Sequence, residues 1–365
     1  MSYIKRLELF DKLEEKRNNP IISYVTSIRP NASAQMSSDV ISVFLDHIDK
    51  IPKTENEIDL IIVSNGGDPN VSWRLISILR EKFSKVNVLL PYVAYSAATL
   101  LALGADKIIM HPYSNLGPVD PQLTYKRKNN DNNSMEQIRY SSEDIRNYME
   151  FITNDLEITD QNLKEKAFEL LCKDIGSIPI GVAKRSSQLS VSMGEKLLKM
   201  HIDDGNKAKT IAESLNSSFY HHGYSLGRKE ASDIGLPVEE PSEEIEKLLW
   251  DIWKDYSKEL KCNSPFDPID IIVNSEQSDK IFSPIKKINA PVNLPKQAIQ
   301  QIMQQNISIE EIDPIEYDLN LACLDSRYGN SNYFVYGKIA ALVRPDMNIS
   351  INNIRHSKGW VSNIE

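Results

Sequence analysis

Serine and glycine residues at two strand ends are the parts of this chain best suited to chemistry. Ser96 opens a run of small residues, Ser96-Ala97-Ala98-Thr99-Leu100-Leu101-Ala102-Leu103-Gly104-Ala105, directly after the apolar segment Val86–Val93. Upstream, Ser64-Asn65-Gly66-Gly67-Asp68 closes another apolar run, Leu60–Val63. A serine hydroxyl is a nucleophile for acyl transfer once a base takes its proton, and that base is either a histidine paired with an acid or a desolvated lysine. Paired glycines let a substrate carbonyl come close to the backbone. The N–H groups of Gly66, Gly67 and Ala97 can then hold an oxyanion. Two blander readings stand beside this one: a serine at a helix start is usually an N-cap, and paired glycines usually make a plain tight turn.

The elements that must position these residues follow from hydrophobic periodicity. Helices are expected at residues 3–17, Ser37–Ile51, Val71–Phe83 and Ser96–Ala105. Strands are expected at Pro20–Ser27, Ile58–Val63, Val86–Val93 and Lys107–Met110. Ile58–Val63 is apolar throughout, as in a strand covered on both faces. Strands alternating with helices imply parallel, right-handed crossovers and an α/β core. Lys126–Ser134 reads as a polar loop. Further helices are expected from Ser142 to Asn154 and at Leu163–Lys173, Val182–Met200, Arg228–Gly235 and Glu243–Leu260. The last carries Trp250 and Trp253 on a face suited to self-association. Beyond residue 265 come strand-like runs, Tyr317–Cys323, Tyr333–Val343 and Asn348–Ile354, with a hairpin turn expected at Gly329-Asn330-Ser331-Asn332. The expected division is a domain over residues 1–250 and a C-terminal extension over 251–365.

Composition narrows the function classes. A chain of 365 residues can bury a large core, and a net charge of −9 argues against nucleic acid as the main partner. The three cysteines, Cys172, Cys262 and Cys323, are far apart and read as reduced structural thiols of a cytoplasmic protein. No metal and no cofactor is expected. Gly66-Gly67 is neither a dinucleotide fingerprint nor a P-loop, and His221-His222 lacks the spacing of a helical zinc pair. The first ten residues hold the charged Lys5, Arg6 and Glu8 where a signal peptide needs a long apolar core. Val86–Ala105 is uncharged over a spanning length, but Asn87, Pro91, Ser96 and Gly104 interrupt it. A strand, a turn and a helix explain it better than a membrane span, which leaves peripheral membrane association open.

The order of these motifs resembles the serine dehydrogenase proteinase family, relatives of signal peptide peptidase A and the Clp proteolytic subunit. The resemblance is carried by Asn65-Gly66-Gly67, Tyr95-Ser96-Ala97-Ala98-Thr99, Gly104-Ala105-Asp106-Lys107-Ile108 and Leu116-Gly117-Pro118-Val119-Asp120-Pro121-Gln122. It continues in Tyr24–Asn31, Ile180–Arg185, His222-Gly223-Tyr224-Ser225 and Glu230–Leu236. It spans residues 5–250 and implies a Clp/crotonase-like ββα superhelix, usually assembled as a homo-oligomer, that cleaves a peptide or protein substrate through a serine. One departure concerns the glycine turn, where Asn65 stands in place of the proline usual in these proteases.

The resemblance implies roles residue by residue. Ser96 becomes the nucleophile, and Gly66, Gly67 and Ala97 the oxyanion donors. The stretch that carries the Clp histidine here reads Pro118-Val119-Asp120-Pro121, without one. The place of the Clp acid holds His221-His222-Gly223. Acid and imidazole have then exchanged places, giving Ser96, His222 and Asp120; triad order along a chain is not fixed by the chemistry. The alternative is a serine–lysine dyad with Lys184. Lys126 and Lys128 read as solvated, and His111 as structural. Two other functions share these motifs: a crotonase-type acyl-CoA enzyme that uses the glycine turn without Ser96, and a catalytically silent scaffold.

Overall fold

The computed structural model describes residues 2–128, 135–217, 224–282, 294–306, 310–343 and 348–364. The first half alternates as the apolar pattern requires: α1 (Ser2–Arg17), β1 (Ile21–Thr26), α2 (Val40–Lys50), β2 (Glu57–Val63), α3 (Pro69–Lys82), β3 (Lys85–Leu90), β4 (Val93–Ala94), α4 (Ala97–Leu103) and β5 (Lys107–Met110). Then come β6 (Asn115–Leu116), β7 (Leu123–Lys128), β8 (Met135–Tyr140), α5 (Ser142–Glu150), a π-helical turn (Phe151–Asp155), α6 (Gln161–Ile175), α7 (Ser177–Leu198) and α8 (Gly205–Ser217). The remainder is β9 (Leu226–Gly227), α9 (Arg228–Asp233), β10 (Val238–Glu239), α10 (Glu243–Glu259), α11 (Pro268–Val273), α12 (Ser278–Phe282), α13 (Lys296–Asn306), β11 (Glu310–Ser326), β12 (Gly329–Val343) and β13 (Ile349–Ile364).

The main sheet has the order β10-β5-β3-β2-β1-β11-β12-β13. Strands β1, β2, β3, β5 and β10 run parallel, and helices cover them. That explains why β1 and β2 are apolar along their length: both faces are buried. β11 pairs antiparallel with β1, Val25 opposite Cys323, so residues on both sides of position 250 build one sheet.

Several expectations change in detail. The apolar run Val86–Val93 is two strands. Pro91, which has no N–H to give a ladder, ends β3. β4 then leaves the main sheet and joins β6 and β9 in a second, three-stranded layer. Two strands in different layers followed by a helix make the expected ββα unit. Lys126 and Lys128 lie in β7, Lys126 opposite Gln137 of β8, rather than in a loop; residues 129–134 are outside the described set. The C-terminal hairpin turns at Arg327-Tyr328, because Gly329 already pairs with Ser326 and Asn330 with Asp325. Trp253 stacks on Tyr92 at 4.8 Å and Trp250 on His111 at 5.1 Å, so this face of α10 packs inside the chain.

A buried ion network fastens the C-terminal strands to the N-terminal helix. Arg6 of α1, fully buried, meets Asp325 of β11 at 2.8 Å, and Asp255 and Glu259 of α10 at 2.7 and 2.5 Å. Its guanidinium lies 4.1 Å from the ring centre of Tyr256, whose hydroxyl donates to Asp325 at 2.7 Å. Burial pushes the Asp325 carboxyl up despite Arg6.

His47 of α2 is buried between Ser326 Oγ, 2.8 Å from Nδ1, and Ser331 Oγ, 3.0 Å from Nε2. No carboxylate is among these partners, and burial lowers its pKa from 6.5 to about 4. The fold therefore favours the neutral ring. Stability from this group is complete above pH 6.5 and is lost as pH falls toward 4, by about 3 kcal/mol at the limit. Chemical denaturation between pH 7 and 4 should trace this loss, and His47→Asn should flatten it.

Candidate active site

Two loops meet because two strand ends are bonded to each other. Ser64, the residue directly after β2, donates its N–H to Val93 O at 3.0 Å, and its carbonyl accepts from Tyr95 N–H at 3.0 Å. The chain then turns sharply at Ser96, with φ 53 and ψ −115, a region that non-glycine residues enter only when the surroundings force them. Thr99 helps to force it: its Oγ1 lies 2.8 Å from both Ala94 O and Gly117 O. α4 starts at Ala97, yet the Ser96 side chain caps nothing, so the N-cap reading does not apply. The hydroxyl is half-buried on the wall of a cleft of about 400 Å³.

The glycine turn lies against this elbow. Gly66 has φ 94, and a Cβ there would stand 2.5 Å from Tyr95 O and 2.9 Å from Ala97 N. No other residue allows this approach. Gly66 N–H donates to Ser64 Oγ at 3.0 Å, so Gly66 is engaged and its expected role as an oxyanion donor is corrected. Gly66 O accepts from Met36 N–H at 2.8 Å. In a trans peptide the next N–H points the opposite way, so Gly67 N–H is aimed away from Met36. Among the described residues neither Gly67 N–H nor Ala97 N–H has a hydrogen-bond partner. The Ser96 hydroxyl likewise has no partner among the described residues; Gly67 lines the same cleft as Ser96, and Ala97 follows Ser96 in the chain.

The cleft is neutral. Leu100, Val119 and Leu189 line it with Gln35, Asn65, Gln122, Ser186 and Ser190, and no charged residue or histidine is among the described lining. Asp120 lies between two residues of the cleft wall, Val119 and Pro121, and is not itself in the lining. It is 6% exposed, its Oδ2 accepts from Gln122 Nε2 at 3.2 Å, and its Oδ1 has no partner among the described residues. Burial pushes its pKa up to about 6, helped by Glu143 and Asp144 and opposed by hydrogen bonds from Ser141 and Gln122.

Lys184 is not brought to Ser96. Ser186, Leu189 and Ser190 of α7 face the serine, whereas Lys184, two residues from Ser186 and so on another face, is exposed in a separate groove with Ser142, Glu143 and Glu195. His222 lies outside the described residues. Both flanks of its segment reach the walls around Ser96: Leu215 O accepts from Val119 N–H at 3.0 Å, and Ser225 Oγ lies 3.2 Å from the Tyr95 hydroxyl. His111 is buried against Trp250 and Tyr113. Sequence reasoning did not single out Thr26, Ser64 or Gln122. Ser64, directly ahead of Asn65-Gly66-Gly67 at a strand end, was the signal available. Among the described residues no group of histidine, cysteine or carboxylate side chains is arranged for a metal ion.

Comparison with known proteins shows what the chain is similar to. Residues 2–177 match the model of a family described as ClpP-like SDH-type serine proteinase. Two uncharacterized proteins of Methanocaldococcus jannaschii are similar in sequence. One is 27% identical over 260 residues, covering 69% of this chain and 79% of the relative. The other is 25% identical over 223 residues, covering 61% and 65%. Among solved structures, a mutant of the 1510-N membrane-bound stomatin-specific protease is similar at 16% identity and a TM-score of 0.37, covering 63% of this chain and 84% of that one. No helix among the described residues is long and apolar enough to cross a membrane.

Two glycine substitutions test the turn. Gly66→Ala should destabilise the protein by about 2 kcal/mol or more, through positive φ and the clash with Tyr95 O. Gly181→Ala, in open space on α7, should stabilise it by about 0.5–1 kcal/mol. Thermal and denaturant unfolding of the two variants measures both.

Proposed function

We propose that this chain, whose residues 2–177 match the model of the ClpP-like SDH-type serine proteinase family, is a peptidase of that type and hydrolyses peptide bonds through an acyl-enzyme on Ser96. The family match favours a serine peptidase over the acyl-CoA enzyme and the silent scaffold. The observation that carries the finer reading is the strained Ser96 elbow on the cleft wall, where the Ser96 hydroxyl and the Gly67 and Ala97 N–H groups have no partner among the described residues.

In this mechanism Ser96 Oγ attacks the scissile carbonyl. Gly67 and Ala97 N–H hold the resulting oxyanion, while Gly66 supplies close approach rather than a donor. His222 takes the serine proton and returns it to the leaving amine; water then cleaves the ester by the same base. Asp120 orients the imidazole. Two observations support this pairing: a buried Asp120 oxygen without a partner among the described residues, and the contacts that both flanks of residues 218–223 make beside the cleft. The neutral, partly apolar cleft suits an uncharged substrate side chain. The proposal includes a cytoplasmic homo-oligomer. Its support is the exposure of Phe151, Leu163, Leu170 and Ile178 around α6 and the start of α7, Ile178 being 80% exposed.

Labelling of the full chain with a fluorophosphonate should occur on Ser96 and vanish in Ser96→Ala. His222→Ala should slow it about a hundredfold or more, and Lys184→Met should leave it unchanged. Labelling that survives Ser96→Ala sinks the peptidase reading; loss in Lys184→Met alone would move the base to that lysine. Sedimentation should give a mass above 41.5 kDa, reduced by Ile178→Asp.

A further inference from the structure

We infer that Ser64, supported by Thr26, is a positioning residue that aims the Gly67 N–H at the reacting carbonyl; this rests on the peptidase reading above. Ser64 is fully buried at the end of β2. Its backbone is committed to the nucleophile loop, through Val93 O and Tyr95 N–H. Its side chain is committed to the glycine turn, accepting from Gly66 N–H at 3.0 Å. Thr26, fully buried at the end of β1, donates to the same oxygen at 2.8 Å and fixes its direction. One residue thus joins the hydroxyl that attacks to the donors that receive the negative charge.

The need for such a clamp follows from the glycines. Gly66 and Gly67 have φ of 94 and 153, and glycine backbones rotate with little steric resistance. If the peptide between them turned over, a carbonyl would replace the Gly67 N–H in the cleft and repel an oxyanion. Two bonds oppose this rotation. Ser64 Oγ holds the N–H of the preceding peptide, and Met36 N–H holds Gly66 O at 2.8 Å. The Met36 bond is made by backbone, so Ser64 is the side chain through which the turn can be loosened without touching substrate. It is absent from the cleft lining, so a change there alters the donor's aim and not ground-state binding.

The test compares wild type, Ser64→Ala and Thr26→Val on a peptide substrate and on a peptide aldehyde, whose hemiacetal carries the same oxyanion. Ser64→Ala should lower kcat by about tenfold to a hundredfold with KM within about twofold, and should weaken the aldehyde Ki by the same factor as kcat/KM. Thr26→Val, which leaves Ser64 in place, should show the same split with a smaller drop. It also carries the test alone if Ser64→Ala does not fold. Folded variants with unchanged kcat, or with kcat lost while the aldehyde binds as in wild type, overturn the role of Ser64. A folded wild type that neither labels at Ser96 nor cleaves peptides overturns the peptidase reading itself.

Discussion

Two stretches of backbone touch at Gly66, and the site depends on that contact. The space a side chain would need is already taken by Tyr95 O and Ala97 N. Packing this close is available only to glycine, and at φ 94 only glycine adopts the conformation without strain. The contact places the Ser96 elbow beside the Gly67 amide without any side chain reaching across. The order of the parallel sheet supplies the remainder: β2 and β3 are neighbours, so their C-terminal ends open on the same side. Ligands of open α/β sheets are bound at such carboxyl ends.

The strain at Ser96 is held in place by ordinary hydrogen bonding. Thr99 closes the elbow from inside α4, Ser72 of α3 donates to Ala97 O at 2.5 Å, and Ser64 closes it from β2. Each of these groups is buried. A buried hydroxyl left unpaired is costly, so each bond resists relaxation of the turn. Farther away, the Arg6 network links α1, α10 and β11. Buried ion networks of this kind are weak evidence for stability, because the attraction mainly offsets the cost of taking the charges out of water; removing one partner, however, leaves the others buried and uncompensated.

The α/β core was legible because Ile58–Val63 and Val86–Leu90 are apolar without interruption and alternate with amphipathic helices. The elbow and the glycine turn were legible as types at strand ends. What escaped depended on tertiary contacts. Gly66 looked like a donor because its partner, the Ser64 hydroxyl, is recognisable only once the turn is folded. Lys184 looked like a base because the rotation of α7 about its axis is set by packing and not by spacing. Gly329-Asn330-Ser331-Asn332 has turn composition, yet β-pairing took all four of its residues into β12 directly after Arg327-Tyr328. Asp120 was found by motif, while its burial and its hydrogen bonds with Ser141 and Gln122 arise only in the fold.

The placement of β1 in the middle of the main sheet has a consequence for how the molecule comes into being. β1 is made first among the strands, but the neighbour on one of its edges, β11, begins at Glu310. A ribosome must therefore deliver nearly the whole chain before that edge is covered and before Asp325 can meet Arg6. Until then the first half holds an open strand edge and a cation lacking one of its carboxylates. Such long sequence separation slows folding and exposes the nascent chain to wrong pairing. Residues 2–177, which match the family model, are for the same reason part of a folding unit that closes only once β11 has been made.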